Sequence, residues 1–287
     1  MSERKITSVG PILEINLAML FISTSGVLGR YIDLPPAVTI GIRGFGAMLL
    51  LGVFVAWKGL SFKLARKDTA AIILSGVLMG MHWITYFYAL QLSNVAIGML
   101  SLFTYPVMTS FLEPIFLKTT FSKVHVLLGL LVLLGIYFLA PEFNTDNNDF
   151  LAILIGLVSA LCYALRNLLV KTKITTYNGS VVMWYQTLVI AIMLIPAYFL
   201  FDTSGFVSQL PYIGILALVT TALGHTLFLF SFKHFSVTTA SLMSSAQPIY
   251  GIILGIIFLG EVPGIRTVIG GVLILVSVLV ESRRAVK

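Results

Sequence analysis

The sequence predicts an all-α membrane protein with ten transmembrane helices in two inverted five-helix repeats. Three observations predict it: the apolarity of the whole chain, the regular alternation of apolar runs with short polar breaks, and the placement of lysine and arginine. Of 287 residues, 58% are hydrophobic and only 10% are charged, against roughly 45–50% and 25% in soluble domains. Mean hydropathy is +1.02. No water-soluble fold hides that much apolar surface, so the class follows before any motif is read.

Apolar runs place helices near 11–29, 36–57, 69–90, 95–117, 124–140, 150–170, 181–201, 212–232, 236–259 and 265–281. The breaks at 91–94 and 233–236 are tight, yet one continuous run of ~45 residues would overshoot a ~30 Å hydrocarbon core about twofold. Two helices are therefore expected at each place. Arg4 and Lys5 precede an apolar stretch as in a secretory signal, but that stretch approaches the ~20 residues of a full span and more spans follow. It reads as a retained first helix.

Orientation comes from the positive-inside rule. With the N-terminus in the cytoplasm, fourteen of the eighteen cations lie in cytoplasmic segments: Arg4, Lys5, Lys58, Lys63, Arg66, Lys67, Lys118, Lys123, Lys171, Lys173, Lys233, Arg283, Arg284 and Lys287. Arg30 and Arg266 fall outside, in company with Asp33, Glu142, Asp146, Asp149, Asp202 and Glu261. An even number of spans returns the C-terminus to the cytoplasm, and the expected location is the cell (inner or plasma) membrane. The formal charge of +7 is divided among short connectors, whereas a nucleic-acid binder needs its cations gathered on one face. Nucleic acid is therefore not an expected partner.

The longest connector, 141–149, reads PEFNTDNND and divides the chain into 1–140 and 150–287, each with five spans. A shift of 142 residues lays Pro106 on Pro248, Gly129 on Gly271, and Phe116-Leu117 on Phe258-Leu259. An odd number of spans per half makes the second copy insert upside down, which is a mark of secondary transporters that bind substrate where the repeats meet near the midplane.

Particular residues point further. AL-x-LSNVAIG and TYPV around spans three and four, VTTASLMSSAQPIYGIILGIIFLGE over 237–261, and IRGF around Arg43 resemble the drug/metabolite transporter superfamily, in particular EamA-type members. The resemblance covers essentially the whole chain. It implies a ten-helix inverted-repeat carrier working by alternating access, often an exporter of amino acids, metabolites or toxic compounds. One departure stands out: Glu261 follows FLG in the second half, whereas Thr119 occupies the shifted position in the first, which carries Glu113 inside its helix instead.

Ionisable side chains inside a span cost roughly 2.5–3.5 kcal/mol each at a helix centre on insertion scales, so Glu14, Arg43, His82, Glu113, Arg166 and His225 each need a reason. Counting ~1.5 Å per residue puts Arg43 and His82 in the outer half of the membrane and Glu113, Arg166 and His225 in the inner half. The repeat shift pairs Trp83 with His225, one place from His82, so the histidines suit matched outer and inner gates or simple interhelical hydrogen bonds. A coupling proton is chemically open to imidazole. Glu113 and Arg166 share a depth that permits a buried ion pair; the alternatives are a snorkelling arginine and a neutral acid. Arg43 serves either a substrate carboxylate or a neighbouring carbonyl, and Glu14 reaches the inner interface.

Pro106 and Pro248 each remove a backbone donor in mid-span, giving hinges or fixed kinks. Beside them Thr104, Tyr105, Ser244, Ser245 and Gln247 supply neutral polar groups near the midplane, and Trp83, Tyr86, Tyr163 and Phe228 supply aromatic surface. These residues are the expected substrate site; Arg43, His82, Glu113, Arg166, His225, Pro106 and Pro248 are the expected coupling and gating set. Gly76-x-x-x-Gly80 and Gly251-x-x-x-Gly255 offer close helix contact, read as packing within one subunit, with a homodimer left open. Cys162 is the single cysteine, read as a small buried apolar residue. No phosphate-binding Gly-x-x-x-x-Gly-Lys loop and no His-Glu-x-x-His occurs, so no cofactor or metal is expected. The expected function is secondary-active export of small organic metabolites, with a passive channel or an intramembrane enzyme as alternatives.

Overall fold

The computed structural model describes residues 10–118, 124–139, 144, 146–244 and 246–285, and among them every regular element is a helix. Lipid offers a spanning backbone no partner but itself, which leaves helix as the solution open to a single chain of apolar runs. Seven segments are long and apolar enough to cross: Gly10–Tyr31, Pro36–Trp57, Arg66–Leu92, Val95–Leu117, Asn148–Ile174, Gly179–Leu200 and Phe206–Ser231. Three shorter apolar helices, Leu127–Leu139, Ala246–Leu259 and Ile265–Ser277, complete the set among the described residues.

In chain order the helices are α1 (Gly10–Tyr31), α2 (Pro36–Trp57), α3 (Arg66–Leu92), α4 (Val95–Leu102), α5 (Tyr105–Leu117), α6 (Val124–Leu139), α7 (Asn148–Ile174), α8 (Gly179–Met193), α9 (Ala197–Leu200), α10 (Phe206–Ile215), a π-helical segment (Leu216–His225), α11 (Thr226–Ser231), α12 (Val237–Met243), α13 (Ala246–Leu259) and α14 (Ile265–Ala285). The tight break after α3 is closed by Asn94, whose Oδ1 accepts from Ile97 N at 2.9 Å. Such a side-chain cap satisfies one of the orphan donors at a helix start. Asn147 does the same for Asp149 N and Phe150 N, at 2.9 and 3.3 Å. Consequently α7 begins inside the polar connector expected to run through residue 149.

Four expected spans are discontinuous. The fourth breaks at Phe103 and Thr104, the seventh at 194–196, and the ninth between α12 and α13, while the eighth relaxes into the π-helical segment. Pro106 and Pro248 explain two of the breaks. Each lies within the first three residues of its helix, where an N–H has no intrahelical partner, so the proline starts a helix and the discontinuity falls upstream. Both prolines thus mark breaks where kinks within continuous helices were expected. Pro196 does the same for α9.

Packing is between distant parts of the chain. α3 lies along α7, α6 along α14 and α2 along α8, while α1 rests against α13, the π segment and α11. The bundle is inverted in polarity relative to a soluble protein: Arg43, Arg166, Asn167 and Gln186 are fully buried, while Val53, Trp57, Phe199 and Phe258 are exposed. Such an apolar exterior is stable only against lipid. Glycines set the closest approaches. Gly76 and Gly80 of α3 face Val189 and Met193 on α8 or its end, Gly255 of α13 faces Val95 of α4, and Gly135 and Gly270 bring α6 and α14 into backbone contact.

A Cβ at Gly270 would meet the Gly135 carbonyl oxygen at 2.6 Å and Leu139 N at 3.1 Å, so no rotamer change relieves it. Gly270→Val should destabilise the protein by about 1–3 kcal/mol, the usual cost of overpacking. Gly214→Ala, at a site with nothing within 4 Å, should be near neutral. Melting temperatures of the two variants in the same detergent check this.

Candidate substrate cavity

The broken helices surround one central cavity. Its walls are Ile22 and Ser25 of α1, Arg43 of α2, His82, Trp83 and Tyr86 of α3, Leu102 of α4, Tyr105 of α5, Tyr163 of α7, His225 of the π segment and Gln247 of α13. The cavity is small, about 10 Å³, which is room for about one water. Residues from both sequence halves line it, and half of the expected substrate and gating residues meet there.

Tyr163 is the hub. Its ring stacks on His82 with centroids 4.4 Å apart, meets Tyr105 edge-on at 4.8 Å, and lies 6.2 Å from Phe228 and 6.3 Å from His225. Phe228 therefore backs the cavity from the layer behind. Trp83 and His225 face each other at 5.3 Å. The histidines were expected on opposite sides of the midplane, but both border this single space.

Arg43 is held by contacts that leave its outer edge free. Its Nε donates to Thr221 Oγ1 at 2.7 Å, and Cζ lies 3.8 Å from the Trp83 ring centroid. Thr221 in turn donates to Leu216 O, five residues back, at 2.8 Å, which is the spacing a π turn provides. His82 Nδ1 lies 2.7 Å from Ser159 Oγ, and the same hydroxyl donates to His82 O at 2.8 Å. One hydroxyl hydrogen cannot serve both partners. With it on the carbonyl, His82 Nδ1–H is the donor and Nε2 is left as the acceptor.

Arg166 is equally buried but turned away from the cavity. It donates to Asn167 Oδ1 at 2.9 Å and to Gln186 Oε1 at 2.5 Å, and Gln186 Nε2 continues to Ser75 Oγ at 2.8 Å. Neutral amides therefore hold it, in place of the ion pair with Glu113 that shared depth suggested. Glu113 is half-buried on α5 and lies within electrostatic reach of Lys171. Equal depth fixes one coordinate only, and the two side chains leave their helices in different directions.

The remaining expected residues are structural or peripheral to the cavity. Thr104 Oγ1 donates to Ser101 O at 2.8 Å across the break before α5. Ser244 donates to Ser241 O at 2.5 Å and also pairs with the Tyr105 hydroxyl, so the two helix breaks are tied to each other. Pro106 and Pro248 stand beside those breaks, and Ser245 lies outside the described residues. Sequence reasoning missed Ser25, Thr221, Ser159 and Gln186, four neutral polar residues whose types carry no signal inside an apolar run.

Polar latches close both ends of the bundle. At one, Arg30 donates to Glu261 Oε1 at 3.1 Å and to Gln91 O at 3.2 Å, while Glu261 Oε2 accepts from Val95 N at 2.8 Å. At the other, Asp68 accepts from Lys173 Nζ at 2.7 Å and from the Tyr177 hydroxyl at 2.8 Å, and Lys171 Nζ donates to Phe232 O and Phe235 O at 2.7 and 2.6 Å.

A family model described as the EamA-like transporter family matches residues 11–140 and again 150–283. The chain belongs to the EamA-like transporter family. Among its relatives, the pseudopaline exporter CntI of Pseudomonas aeruginosa is 24% identical over 254 residues, covering 87% of each chain. The threonine/homoserine exporter RhtA of Salmonella typhimurium is 24% identical over 269 residues, covering 91% of this chain and 87% of that one. A solved crystal structure superposes with a TM-score of 0.72 at 17% identity, covering 97% of this chain and 98% of its own, a likeness of fold. This EamA-like protein is therefore a multi-pass membrane transporter, with a small-molecule substrate and lipid surroundings.

The Thr221 contact is the hydrogen bond that orients Arg43 among the described residues. Thr221→Val should destabilise the protein by about 1–3 kcal/mol by leaving a buried charged donor unmet, and Thr221→Ser should restore most of the loss. Thermal unfolding of the two variants in detergent tests the pair.

Proposed function

We propose that the chain is a secondary-active carrier that exports small organic metabolites, amino acids or amphipathic compounds among them, by alternating access. The observation that carries the reading is the cavity itself: polar, aromatic, lined from both halves, and latched at both ends. A carrier between its two open states needs such an enclosed site, whereas a pore needs a continuous polar path. Export is favoured by the relatives, which export pseudopaline and threonine or homoserine.

In this reading the seven long helices and three shorter ones make ten spans, with 1–140 and 150–287 as inverted halves joined by 141–149. Two features support the inversion. Packing partners exchange when the halves are swapped: α1 lies against the π segment and α11 as α7 lies against α3, α1 lies against α13 as α7 lies against α4 and α5, and α2–α8 and α6–α14 pair with their own counterparts. Trp83 and His225, equivalent under the 142-residue shift, lie with ring centroids 5.3 Å apart, close together as equivalent positions near a two-fold axis must be. The cationic loops put both termini in the cytoplasm of a cell-membrane protein.

The residue roles follow. Trp83, Tyr86, Tyr105, Tyr163 and Gln247 contact the solute, with Phe228 behind them. His82 and His225 are the groups able to take up a coupling proton beside it. The breaks at Pro106 and Pro248, joined through Tyr105 and Ser244, act as hinges. Glu113 with Lys171, and Asp68 with Lys173, secure the cytoplasmic end while Arg30 with Glu261 secures the other. Alternating release of the two latches then exposes the cavity first to one side and then to the other. A homodimer would have to use a face other than Gly76/Gly80 and Gly251/Gly255, which neighbouring helices of the same chain already cover.

Two measurements test this. In proteoliposomes, preloaded solute should accelerate uptake of labelled solute, and flux that rises without saturation would remove the carrier reading in favour of a pore. With Ser25→Cys placed on the cavity wall in a Cys162→Ser background, Glu261→Gln should speed modification by an impermeant thiol reagent several-fold from the outside. Asp68→Asn should do so from the cytoplasmic side. Equal reactivity of both variants from both sides would sink the alternating latches.

A further inference from the structure

Five polar atoms on the cavity wall have no hydrogen-bond partner among the described residues: Arg43 Nη1 and Nη2, Trp83 Nε1, the Tyr86 hydroxyl oxygen and His225 Nδ1. Arg43 and Trp83 are 0% and 1% exposed, and His225 2%. Two of these atoms belong to a cation and a third is an indole N–H, so the unmet capacity is mainly for an acceptor. Leaving buried donors unpaired costs about 1–3 kcal/mol each and more when they are charged.

The charge balance points the same way. Arg43 has no exposed surface, Arg166 is buried in the adjoining layer, and among the described residues no carboxylate lines the cavity. Asp68, the buried acid nearest in kind, is engaged by Lys173 and Tyr177 at one end of the bundle. One trapped water could accept from two donors but could not neutralise a guanidinium. The geometry narrows the choice further. With Nε on Thr221 and one face on the Trp83 ring, the edge left free is the Nη1/Nη2 fork, which matches the two oxygens of a carboxylate. A phosphate ester would call for several cations, and Arg43 alone supplies one to this cavity.

We propose that Arg43 is the carboxylate anchor of this transporter, taking the two oxygens of the solute on Nη1 and Nη2, with Trp83 Nε1 and His225 completing the acceptor site. The solute is then a monocarboxylate, an amino acid or an organic acid, whose apolar part packs on Tyr163 and Tyr105 when the cavity, with room for about one water in the closed protein, widens to admit it. Binding stands on the geometry alone; that the bound acid is also carried rests on the carrier reading above.

The test uses Trp83 as its own reporter. Trp57→Phe with Trp184→Phe leaves it the single tryptophan of the three in the chain, stacked against the guanidinium that the ligand would touch. Titrations with acetate and benzoate should give saturable changes in its emission, and acetamide and benzamide should bind at least roughly thirtyfold more weakly, the lower end of what removing one partner of a buried charge pair costs. Arg43→Gln should abolish the preference for acid over amide. If that variant does not fold, thermal stabilisation of the unaltered protein by benzoate and not by benzamide decides. Amides that bind as tightly as acids, acids that give no saturable response, or an acid preference that survives in folded Arg43→Gln would each overturn the proposal. Counterflow separates it from the carrier reading. Carboxylate binding without saturable counterflow by any acid would remove the carrier and leave the anchor, whereas equal counterflow by acids and amides would remove the anchor and leave the carrier.

Discussion

A fully buried guanidinium at the centre of a lipid-facing bundle is the constraint on which this structure turns. Placing an arginine at a helix centre costs roughly 2.5–3.5 kcal/mol on insertion scales even where snorkelling and water defects help, and Arg43 has no surface left with which to snorkel. Its surroundings offset that cost only in part. Thr221 takes one N–H and the Trp83 face takes the delocalised charge, while the two Nη groups stay unmet. The π-helical segment is part of the same solution, because its wider turn lets Thr221 bond back to Leu216 and still meet Arg43. A regular α-helix would direct that hydroxyl elsewhere and leave the cation worse served.

The helix breaks give that cation its room. Unbroken, the helices on either side would bring apolar turns to the midplane, where the structure instead places Tyr105, Ser244 and Gln247. Each break costs backbone hydrogen bonds in a medium without water, so it survives only where side chains or neighbouring helices re-satisfy the freed groups. Thr104 and Ser244 do this locally, and the Tyr105–Ser244 bond joins one break to the other. Glycine contacts at the periphery, of which Gly135 against Gly270 is backbone against backbone, hold the outer helices close and confine the irregular backbone to the interior. Irregularity in the middle and regularity at the rim are thus two consequences of one solvent.

The amount of this legible in the sequence differs by level. Span positions were readable to within a few residues because lipid imposes apolarity over a fixed length, and Pro36, Asn94 and Asn147 mark their starts by ordinary helix-capping chemistry. The aromatic and charged members of the cavity were readable because Arg43, His82, Trp83, Tyr163 and His225 are conspicuous in apolar runs. The breaks were only half readable: Pro106 and Pro248 pointed to irregularity at two of them, but Pro196 went unread, and nothing in VTTALGH distinguishes a π turn from an α turn. The pairing of Arg166 could not be read at all. Sequence gives depth along a helix and not which face a side chain leaves by, so Glu113 looked as good a partner as Gln186. Residues such as Ser25 and Thr221 gain their importance only from what they touch.

The two ends of the bundle share a plan. Arg30 near the end of α1 and Lys171 near the end of α7 each donate to backbone carbonyls at a later junction of the same half, Gln91 at the junction of α3 and α4 in one case and Phe232 and Phe235 between α11 and α12 in the other. Each also has an acid from the opposite half. Glu261 contacts Arg30 directly and accepts from the first N–H of α4, where the positive end of the helix favours a carboxylate, while Glu113 acts on Lys171 across space. The departure between Glu261 and Thr119 therefore has a physical reading, since the first half carries its acid nearly two turns earlier in the sequence, on α5, and reaches the corresponding cation from inside the helix. In the carrier proposed above, opening either side therefore requires a cation near a helix end to leave the backbone carbonyls it holds.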